Sequence, residues 1–598
     1  MMKKHKTLIL VILLLVIVFF AFLPSLKNGF VHWDDYYYIV DNVAIKFLSL
    51  NSIGIIFTSF FSNEYYPLTM LSYALDHRFY GLAPYGYHLT NLILHLVNCV
   101  LVFWLIFLLS ESLWAAFITA TLFAVHPMRV ESVAWIGERK DVIYAIFFLG
   151  SMVAYFFYLK GRNRLIFYCS AILLFFLSIL SKAMAITLPF VLMLVDYLLG
   201  RRYDKNAFID KIPFLILSFL SGVATVLSRG LNGSVLQGSL QEMIAKFVFA
   251  AQCLGFYLSK IFAPVHLSCL YAFPKKTFAV TAVIVLIAIA GMLPFFIFRR
   301  SRSAVFGMAF FLITILPGLQ FVPVVSKAVV ADRFSYLPSI GLFFIIGQAF
   351  KWAYERNSRH TYMKQVILVA GLILTVTFLA LSTHKRCEVW KDDISLWGNA
   401  LREDQDNLLA YHNMADEYFR RGEFDKVVTS LTEALRIDPK DTDAYNNRGM
   451  AYFRKGKFDE AISDFTKLLK LDPCNMLALN NRAVAYSRKG DLDSAITDFS
   501  KSIKIYPGAY EAYYGRGVVY SLKDEPEQAL GDFNKAIKIN PDYIEARLKR
   551  SIVYYYKKEY ASAWEDLCAV ERSGEGGRID PAFSRKLKKR LRVNHYLL

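Results

Sequence analysis

Apolar residues dominate the first two thirds of the chain, in runs that short charged segments interrupt. A helical run of this kind can cross a hydrocarbon core of roughly 30 Å. Eleven membrane spans are predicted, at residues 7–25, 88–109, 113–126, 141–159, 164–181, 184–199, 211–228, 278–298, 302–317, 334–351 and 363–382. Segment 241–263 is also apolar but carries Glu242, Lys246 and Lys260, and we expect it to lie in the interface. The pattern predicts an all-α, polytopic membrane domain over residues 1–385.

The segment between the first two spans, residues 26–87, forms a long outer loop that is partly apolar. Apolar residues in stretch 43–62 are interrupted by polar ones such as Lys46. Stretch 67–80 begins with a proline, which suits the first turn of a helix. Both stretches are predicted to be short helices on the membrane surface rather than spans.

A period of 34 residues governs the second part of the chain. Prolines recur at this step at positions 439, 473, 507 and 541, and small residues and tyrosines keep the same step. The pattern resembles tetratricopeptide repeats, in which two helices pack closely in each unit. Five repeats are predicted over residues 407–570, as a soluble α-solenoid with a concave surface. Residues 386–406 are predicted to be a linker, and the basic segment 571–598 a capping helix and tail.

Polar residues recur on the first helix of successive repeats. They are Asn413, Asn447, Asn481, Arg448, Arg482, Arg516 and Arg550. Side-chain amides donate and accept hydrogen bonds, so these residues could hold an extended acceptor peptide in a groove. The same side chains could instead be solvated or join neighbouring repeats. The sequence leaves both interpretations open.

The formal net charge of +19 comes from 68 Lys and Arg residues against 49 Asp and Glu residues. Many of the basic residues flank apolar runs, which is typical of multi-pass membrane proteins, so no nucleic-acid partner is predicted. With eleven spans, the basic loops near residues 160–164 and 299–302 fall on the cytoplasmic side together with the N-terminus. The loop at 26–87 and the repeats are then predicted to lie on the outer side.

Two adjacent carboxylates, Asp34 and Asp35, follow the first span. Acidic groups at the end of a span are costly unless they act chemically or are well solvated. One of them could take a proton from an attacking hydroxyl, or the pair could simply cap the next helix. The pair could also hold Mg²⁺ or Mn²⁺, and this requirement stays undecided. The seven cysteines have neither zinc-type nor disulfide-type spacing.

Several motifs resemble, in the same order, the transmembrane and tetratricopeptide-repeat O-mannosyltransferase family and its bacterial relatives. They are Phe30-Val31-His32-Trp33-Asp34-Asp35, Tyr66-Pro67-Leu68-Thr69, the segment 86–95, His126-Pro127-Met128-Arg129, Ser181-Lys182-Ala183-Met184 and Asp332-Arg333-Phe334-Ser335. The resemblance implies a GT-C glycosyltransferase, which takes a sugar from a polyprenyl phosphate at the outer membrane face. It further implies that the acidic pair supplies the general base, which we assign to Asp34 first and Asp35 second.

A lipid-phosphate donor requires cations at the membrane surface, because its leaving group departs as an anion. The outer-side candidates are His126, Arg129, Arg139, Lys140, Lys182 and Arg333. Arg333 begins a span, where it could bind a phosphate or merely reach towards the interface. Arg139 and Lys140 could equally be a solvated charge cluster, and His126 could be a helix terminus.

The sequence therefore predicts a multi-pass membrane glycosyltransferase that uses a polyprenyl-phosphate sugar as donor, with no certain cofactor. A hexose such as mannose would pass to a hydroxyl acceptor, for example Ser or Thr of an exported protein that the repeats collect. One alternative keeps this chemistry with an envelope polysaccharide or lipid as acceptor. Another is a non-catalytic, membrane-anchored scaffold that assembles partner proteins. Compact loops and the lack of an organellar signal favour a bacterial inner membrane.

Overall fold

The computed structural model describes residues 2–62, 64–228, 240–271, 301–319, 330–356 and 361–593. All regular elements in these residues are helical, which confirms the predicted all-α class. The chain divides into two compact units, Met1–Asn407 and Leu408–Leu598. They are called the membrane unit and the repeat unit below.

The membrane unit consists of helices of very different lengths. Its described α-helices are Met2–Phe22, Val43–Lys46, Leu50–Thr58, Pro67–Tyr80, Pro84–Ser110, Leu113–Ala124, Val130–Ala134, Arg139–Leu159, Arg164–Ile179, Leu188–Leu199, Lys205–Ile209, Ile212–Ser228, Leu240–Phe262, Arg302–Ile315, Ser339–Glu355, Thr361–Cys387 and Asp393–Glu403. Short 3₁₀ turns are Leu23–Lys27, Pro127–Arg129, Ile136–Glu138, Ala183–Thr187, Leu316–Leu319, Asp332–Ser335 and Glu388–Trp390.

By length and composition, six helical stretches of the described chain could cross a membrane. They are His5–Lys27, Pro84–Ser110, Ile136–Leu159, Lys205–Leu227, Arg302–Leu319 and Thr361–Trp390. A seventh candidate is the pair Leu113–Ala124 and Pro127–Ala134, which bends by 58° at its break. The break coincides with Pro127, because proline cannot donate the hydrogen bond that would continue the first helix.

The predicted count of eleven spans stays a prediction. The apolar helices Arg164–Ile179 and Ala183–Leu199 are shorter than the six candidates. Predicted span 278–298 lies outside the described residues. Segment 241–263 forms the helix Leu240–Phe262, which is not among the candidate spans found in the described part of the chain.

The segment 26–87, predicted to be the first outer loop, contains short helices where they were predicted, and their place on the membrane surface stays a prediction. Helices Val43–Lys46 and Leu50–Thr58 occupy the first predicted stretch, and the next helix begins at Pro67. These helices share a buried core with Ile136, which lies just ahead of Glu138 in the chain. The loop therefore places the acidic pair against the segment around residue 136.

The repeat unit contains five helix pairs and a final helix. The pairs are Leu408–Arg420 with Phe424–Ile437, Thr442–Arg454 with Phe458–Leu471, Met476–Lys489 with Leu492–Ile505, Tyr510–Leu522 with Pro526–Ile539, and Ile544–Tyr556 with Tyr560–Arg572. Gly422, Gly456 and Gly490 end first helices with φ of 73°, 73° and 95°, and Asp524 takes this role with φ of 61°. The basic helix Pro581–Val593 packs Leu587 and Leu591 on the last repeat.

The segment predicted to be a linker, residues 386–406, has a different structure. It forms the turn Glu388–Trp390 and the helix Asp393–Glu403 within the membrane unit. Trp390 and Trp397 are each only 1% exposed. The segment is therefore part of the packed fold, because its apolar side chains have partners far away in the sequence.

Candidate active site

Asp35 is buried and holds the first outer loop in place. Its Oδ2 accepts a hydrogen bond from the backbone N–H of Val31 at 3.0 Å, and its Oδ1 accepts one from Gly137 at 2.7 Å. Burial raises the pKa of Asp35 to about 7, against the lowering effect of the two N–H donors. Both oxygens thus accept backbone N–H groups, and Asp35 ties its own loop to the segment around Gly137.

Asp34 differs from its neighbour although the two are adjacent. It is partly buried, and its carboxylate has no recorded hydrogen bond or ion pair with any residue that the structure describes. Burial raises the pKa of Asp34 to about 6, Glu138 and Glu64 add to this increase, and Lys140 and Arg333 oppose it. A carboxylate with this pKa can accept a proton near neutral pH.

Three cations meet at the buried carboxylate of Glu138. Lys182 Nζ lies 2.6 Å from Glu138 Oε1, while Lys140 Nζ and Arg333 Nε each lie 3.6 Å from Oε2. These four residues are called the Glu138 cluster. The structure thus brings together three of the six predicted donor-binding residues, and two of them, Lys140 and Arg333, act electrostatically on Asp34.

Each cation of the Glu138 cluster also contacts a second carboxylate. Lys140 pairs with Glu64 at 3.1 Å, Lys182 with Asp141 at 2.6 Å, and Arg333 with Glu131. Four carboxylates therefore face three cations. Glu64 is the most accessible of the four, because its side chain is 26% exposed whereas the others are buried.

Arg139 is buried away from the cluster and is fully engaged. It lies 2.5 Å from Asp76 Oδ2 and donates to Asn91 Oδ1 at 2.6 Å and to the carbonyl of Tyr87 at 2.9 Å. These contacts tie the surface helix Pro67–Tyr80 to the helix that follows it. The structure therefore assigns Arg139 a structural role instead of the predicted phosphate-binding one.

His126 and Arg129 are also buried within the protein. His126 Nε2 lies 3.0 Å from the carbonyl of Ile261, and its Nδ1 accepts a hydrogen bond from Met128 N. Arg129 donates to Ser335 Oγ at 2.7 Å and lies over the ring of Tyr336. His126 thus caps the turn after the bend, which is the helix-terminus alternative that the sequence left open.

A pocket of about 540 Å³ opens beside the acidic pair. Its lining residues are His32, Trp33, Tyr36, Tyr37, Asp41, Asn42, Val43 and Phe61. Asp34 is not among them, so the pocket is not assigned to the reacting groups. Within the described residues, neither Asp34 nor Asp35 belongs to a set of three or more converging His, Cys, Asp or Glu ligand atoms. A metal requirement stays undecided.

The arginines of the repeats join helices together. Arg482 binds Asp498 through two nitrogens at 2.7 and 2.8 Å and donates to Thr466 of the preceding repeat at 2.9 Å. The same arrangement recurs at Arg448, Arg516 and Arg550. These guanidinium groups hold the repeats together, so their predicted role in a peptide groove is not supported.

The predicted asparagines show two kinds of contact. Asn481 donates to Asn446 of the preceding repeat at 3.0 Å, and Asn446 donates to Asn447 at 3.1 Å. Asn413 donates to the carbonyl of Leu409 in its own helix. All three predicted asparagines are only partly buried, so they stay candidates for contact with a bound chain.

Sequence reasoning missed the acidic half of the site. Its three glutamates, Glu64, Glu131 and Glu138, were not among the predicted site residues. Glu138 directly precedes Arg139 and Lys140 in the sequence, and this adjacency is a signal that could have identified it. Glu64 has no comparable signal, because its partner Lys140 lies 76 residues away.

Curated proteins similar to this chain carry one activity in their names. The chain is 25% identical to "Protein O-mannosyl-transferase Tmtc3" of Drosophila melanogaster over 454 residues, which is 62% of this chain and 48% of that protein. It is 24% identical to "Protein O-mannosyl-transferase F38B6.6" of Caenorhabditis elegans, over 67% of this chain and 59% of that protein. The resemblance inferred from the motifs is confirmed, although the chain spans only about half the length of these relatives.

The repeats match family models described as tetratricopeptide repeat and TPR repeat, at residues 415–456, 442–473, 476–509 and 510–543. Among solved structures, MamA is similar with 23% identity and a TM-score of 0.26, over 28% of this chain and 97% of that one. YrrB, "a TPR protein with an unusual peptide-binding site", is similar with 24% identity and a TM-score of 0.24, over 33% and 95%. The likeness is limited to stacked helical repeats.

Proposed function

We propose that the membrane unit is a glycosyltransferase that moves a mannosyl group from a polyprenyl phosphate to a Ser or Thr hydroxyl of a protein. The names of the relatives support the mannosyl group and the protein acceptor. The observation that carries the proposal is the state of Asp34, a carboxylate without a recorded partner in the described structure, with a pKa of about 6, beside Lys140 and Arg333.

The reaction follows from this arrangement. The acceptor oxygen attacks the anomeric carbon of the sugar while Asp34 takes the hydroxyl proton. The bond between the anomeric carbon and the phosphate oxygen breaks, and the lipid phosphate leaves with the electron pair. Lys140 and Arg333 stabilise its developing charge. One direct displacement inverts the configuration at the anomeric carbon.

The electrostatic balance of the Glu138 cluster predicts how the donor enters. The lipid phosphate replaces Glu64 as the partner of Lys140, while Glu138 and Glu131 keep Lys182 and Arg333 in place. Lys is a compact cation with three donors and can change partners without moving its stem. Glu64 thus gives way to the donor phosphate, while Glu138 and Glu131 keep the cations in position.

The test uses purified protein in vesicles with two possible donors, undecaprenyl-phosphate mannose and GDP-mannose, and a Ser/Thr-containing peptide. Labelled mannose is expected to pass from the lipid donor to the peptide. The anomeric configuration of the product should be opposite to that of the donor. Transfer from GDP-mannose alone, or retention of configuration, would contradict the proposal. Absence of transfer from both donors would favour the scaffold alternative.

The repeats are proposed to collect the acceptor polypeptide on the same side of the membrane as the site. The partly exposed Asn413, Asn447 and Asn481 support this role, and the engaged arginines do not. The boundary between the two compact units lies at Asn407, so deletion of 408–598 removes the repeat unit and no part of the membrane unit. Transfer to a protein acceptor should then fall while transfer to a short peptide persists. If the deletion leaves transfer to the protein acceptor undiminished, the repeats do not recruit that acceptor.

A further inference from the structure

The end of the last candidate span, Thr361–Trp390, and the helix that follows it pack on the loop that carries Asp34. We call residues 387–400 the clamp segment and residues 28–35 the acidic loop. Within the clamp segment, Asp393, Leu396, Trp397 and Ala400 of helix Asp393–Glu403 are buried and recur at the spacing of one helical face, and Asn399 beside them is also buried. The clamp segment thus has a defined face, and the acidic loop is one of its partners.

Four hydrogen bonds join the two segments through three residues of the acidic loop. Asn28 Nδ2 donates to the carbonyl of Cys387 and the Gly29 N–H to that of Lys391, both at 2.9 Å. Asp393 accepts the backbone N–H of His32 at 2.7 Å through Oδ1, and its Oδ2 lies 2.8 Å from His32 Nδ1. Asp393 therefore fixes both the backbone and the ring of the residue two positions before Asp34.

Four tryptophans continue this contact. Trp397 stacks on Trp33 with ring centroids 4.8 Å apart, and Trp390 stacks on Trp135 at 5.3 Å. Trp33 meets Trp135 edge to face at 5.8 Å. Trp33 directly precedes Asp34, and Trp135 lies three residues before Glu138. The stack therefore sets the position of the loop that carries Asp34 relative to the segment that carries Glu138.

A loop that carries a general base needs such support. The carboxylate of Asp34 makes no hydrogen bond or ion pair with the residues that the structure describes. Its position is therefore set by the backbone on either side. On the C-terminal side, Asp35 binds Val31 and Gly137. On the N-terminal side, the support comes from Asp393, more than 350 residues later in the chain. A misplacement of about 1 Å can cost roughly 100-fold in rate.

We propose that Asp393 is a positioning residue for the transfer reaction, which acts through His32 and Trp33 to hold Asp34 towards Lys140 and Arg333. The proposal rests on the function proposed above for Asp34. It assigns a catalytic purpose to the segment that links the membrane unit to the repeats. The order of the acidic loop thereby depends on the chain that leads into the repeat unit.

The test compares Asp393→Ala with Asp392→Asn in the full chain. Asp392 accepts the N–H of Ser395 at the start of the same helix, and Asn keeps an oxygen acceptor there, so this control removes one neighbouring charge and spares the Asp393 carboxylate. We expect Asp393→Ala to lower kcat about tenfold or more, with the KM for undecaprenyl-phosphate mannose within about twofold. Asp393→Asn keeps one oxygen acceptor and should recover part of kcat.

Hydrogen–deuterium exchange of residues 28–41 gives a measurement that does not depend on activity. Exchange should increase in Asp393→Ala and stay unchanged in Asp392→Asn. Unchanged exchange and kcat in Asp393→Ala, or equal effects of both variants, would overturn the proposal. An active Asp34→Asn variant would instead overturn the function of Asp34, while the exchange result would still report on the clamp segment.

A second pair of variants covers the case in which Asp393→Ala fails to fold. Trp397→Leu removes the stack on Trp33 but keeps an apolar side chain, and Trp352→Leu changes a tryptophan that is 63% exposed. Trp397→Leu should lower kcat and increase exchange of the acidic loop, whereas Trp352→Leu should do neither. The same values for both variants would contradict the role of the clamp segment.

Discussion

At the residue scale, the two neighbouring aspartates Asp34 and Asp35 have different contacts and different surroundings. Both carboxylate oxygens of Asp35 accept hydrogen bonds from backbone N–H groups. The carboxylate of Asp34 instead lies in the electrostatic field of Lys140 and Arg333. Successive side chains in this turn point in different directions, so only one of the pair can face the reacting groups. The two residues should therefore respond differently to substitution.

The pKa of Asp34 predicts the pH dependence of transfer. A base must be ionised, and burial raises this pKa to about 6. The rate constant kcat/KM should therefore fall about tenfold per pH unit below pH 6 and level off above it. A pH profile of the reconstituted protein between pH 4.5 and 8 checks this. A profile without a decrease down to pH 4.5 would exclude Asp34 as the base.

Substitution of Gly137 tests the hydrogen bond that its N–H donates to Asp35. A Cβ at this position would lie 3.0 Å from both Asp35 Oδ1 and Trp135 Nε1. Gly137→Ala should therefore destabilise the protein by about 1–3 kcal/mol and lower transfer, because the acidic loop must shift. Gly54→Ala is the matched control, since a Cβ there meets nothing within 4 Å. Equal melting temperatures of the two variants would contradict the close packing of Gly137 against Asp35 and Trp135.

At the element scale, the repeat unit is held together by two series of ion pairs that follow the 34-residue step. The first series joins an arginine to an aspartate 16 residues later. The second joins a lysine to an acidic residue of the preceding repeat, as in Lys489 with Asp459 and Lys523 with Asp493. The bidentate arginine pairs are less exposed than the lysine pairs, so they should contribute more to the unfolding free energy of the repeat unit.

This difference predicts the effect of losing one arginine. Arg482→Gln leaves the carboxylate of Asp498, which is 7% exposed, without its bidentate partner. We expect a loss of about 1–3 kcal/mol in the unfolding free energy of the 408–598 unit, measured by urea denaturation. Arg488→Gln, at an exposed position of the same helix, should change it by less than about 0.5 kcal/mol. Similar values for the two variants would contradict the structural role of Arg482.

The elements show where sequence patterns suffice and where they do not. Repeat helices and the start at Pro67 are local features, because periodicity and proline chemistry act within a few residues. The clamp segment was predicted to be a linker because its partners, such as His32, lie far away in the chain. For Arg482 the sequence left a groove role and a contact between repeats open, because residue spacing alone does not show that Asp498 and Thr466 bind its guanidinium.

At the scale of the whole molecule, the account depends on which side of the membrane each part occupies. The general base and the repeats serve one reaction only if both lie on the donor side. The distribution of basic loops predicts this common side, and the predicted spans supply the odd number of crossings. The candidate spans among the described residues agree in position with six of the predicted ones.

Cysteine labelling tests this arrangement. Cys474 is exposed in the repeat unit. In a variant with Cys169→Ser and Cys568→Ser, a membrane-impermeant maleimide should label Cys474 in intact spheroplasts, and Cys474→Ser should abolish the signal. Labelling that requires permeabilised membranes would place the repeats in the cytoplasm and separate them from the donor side.

The central claim is that Asp34 is the base of a mannosyl transfer. The most direct measurement is the rate of transfer from undecaprenyl-phosphate mannose to a Ser/Thr peptide by the Asp34→Asn variant in vesicles. Asp41→Asn is the control, because it removes an exposed acidic group from the same outer loop. We expect Asp34→Asn to lose a factor of about 10²–10⁴ in kcat and Asp41→Asn to stay within about twofold of the parent. Transfer by Asp34→Asn at the parent rate would contradict the account.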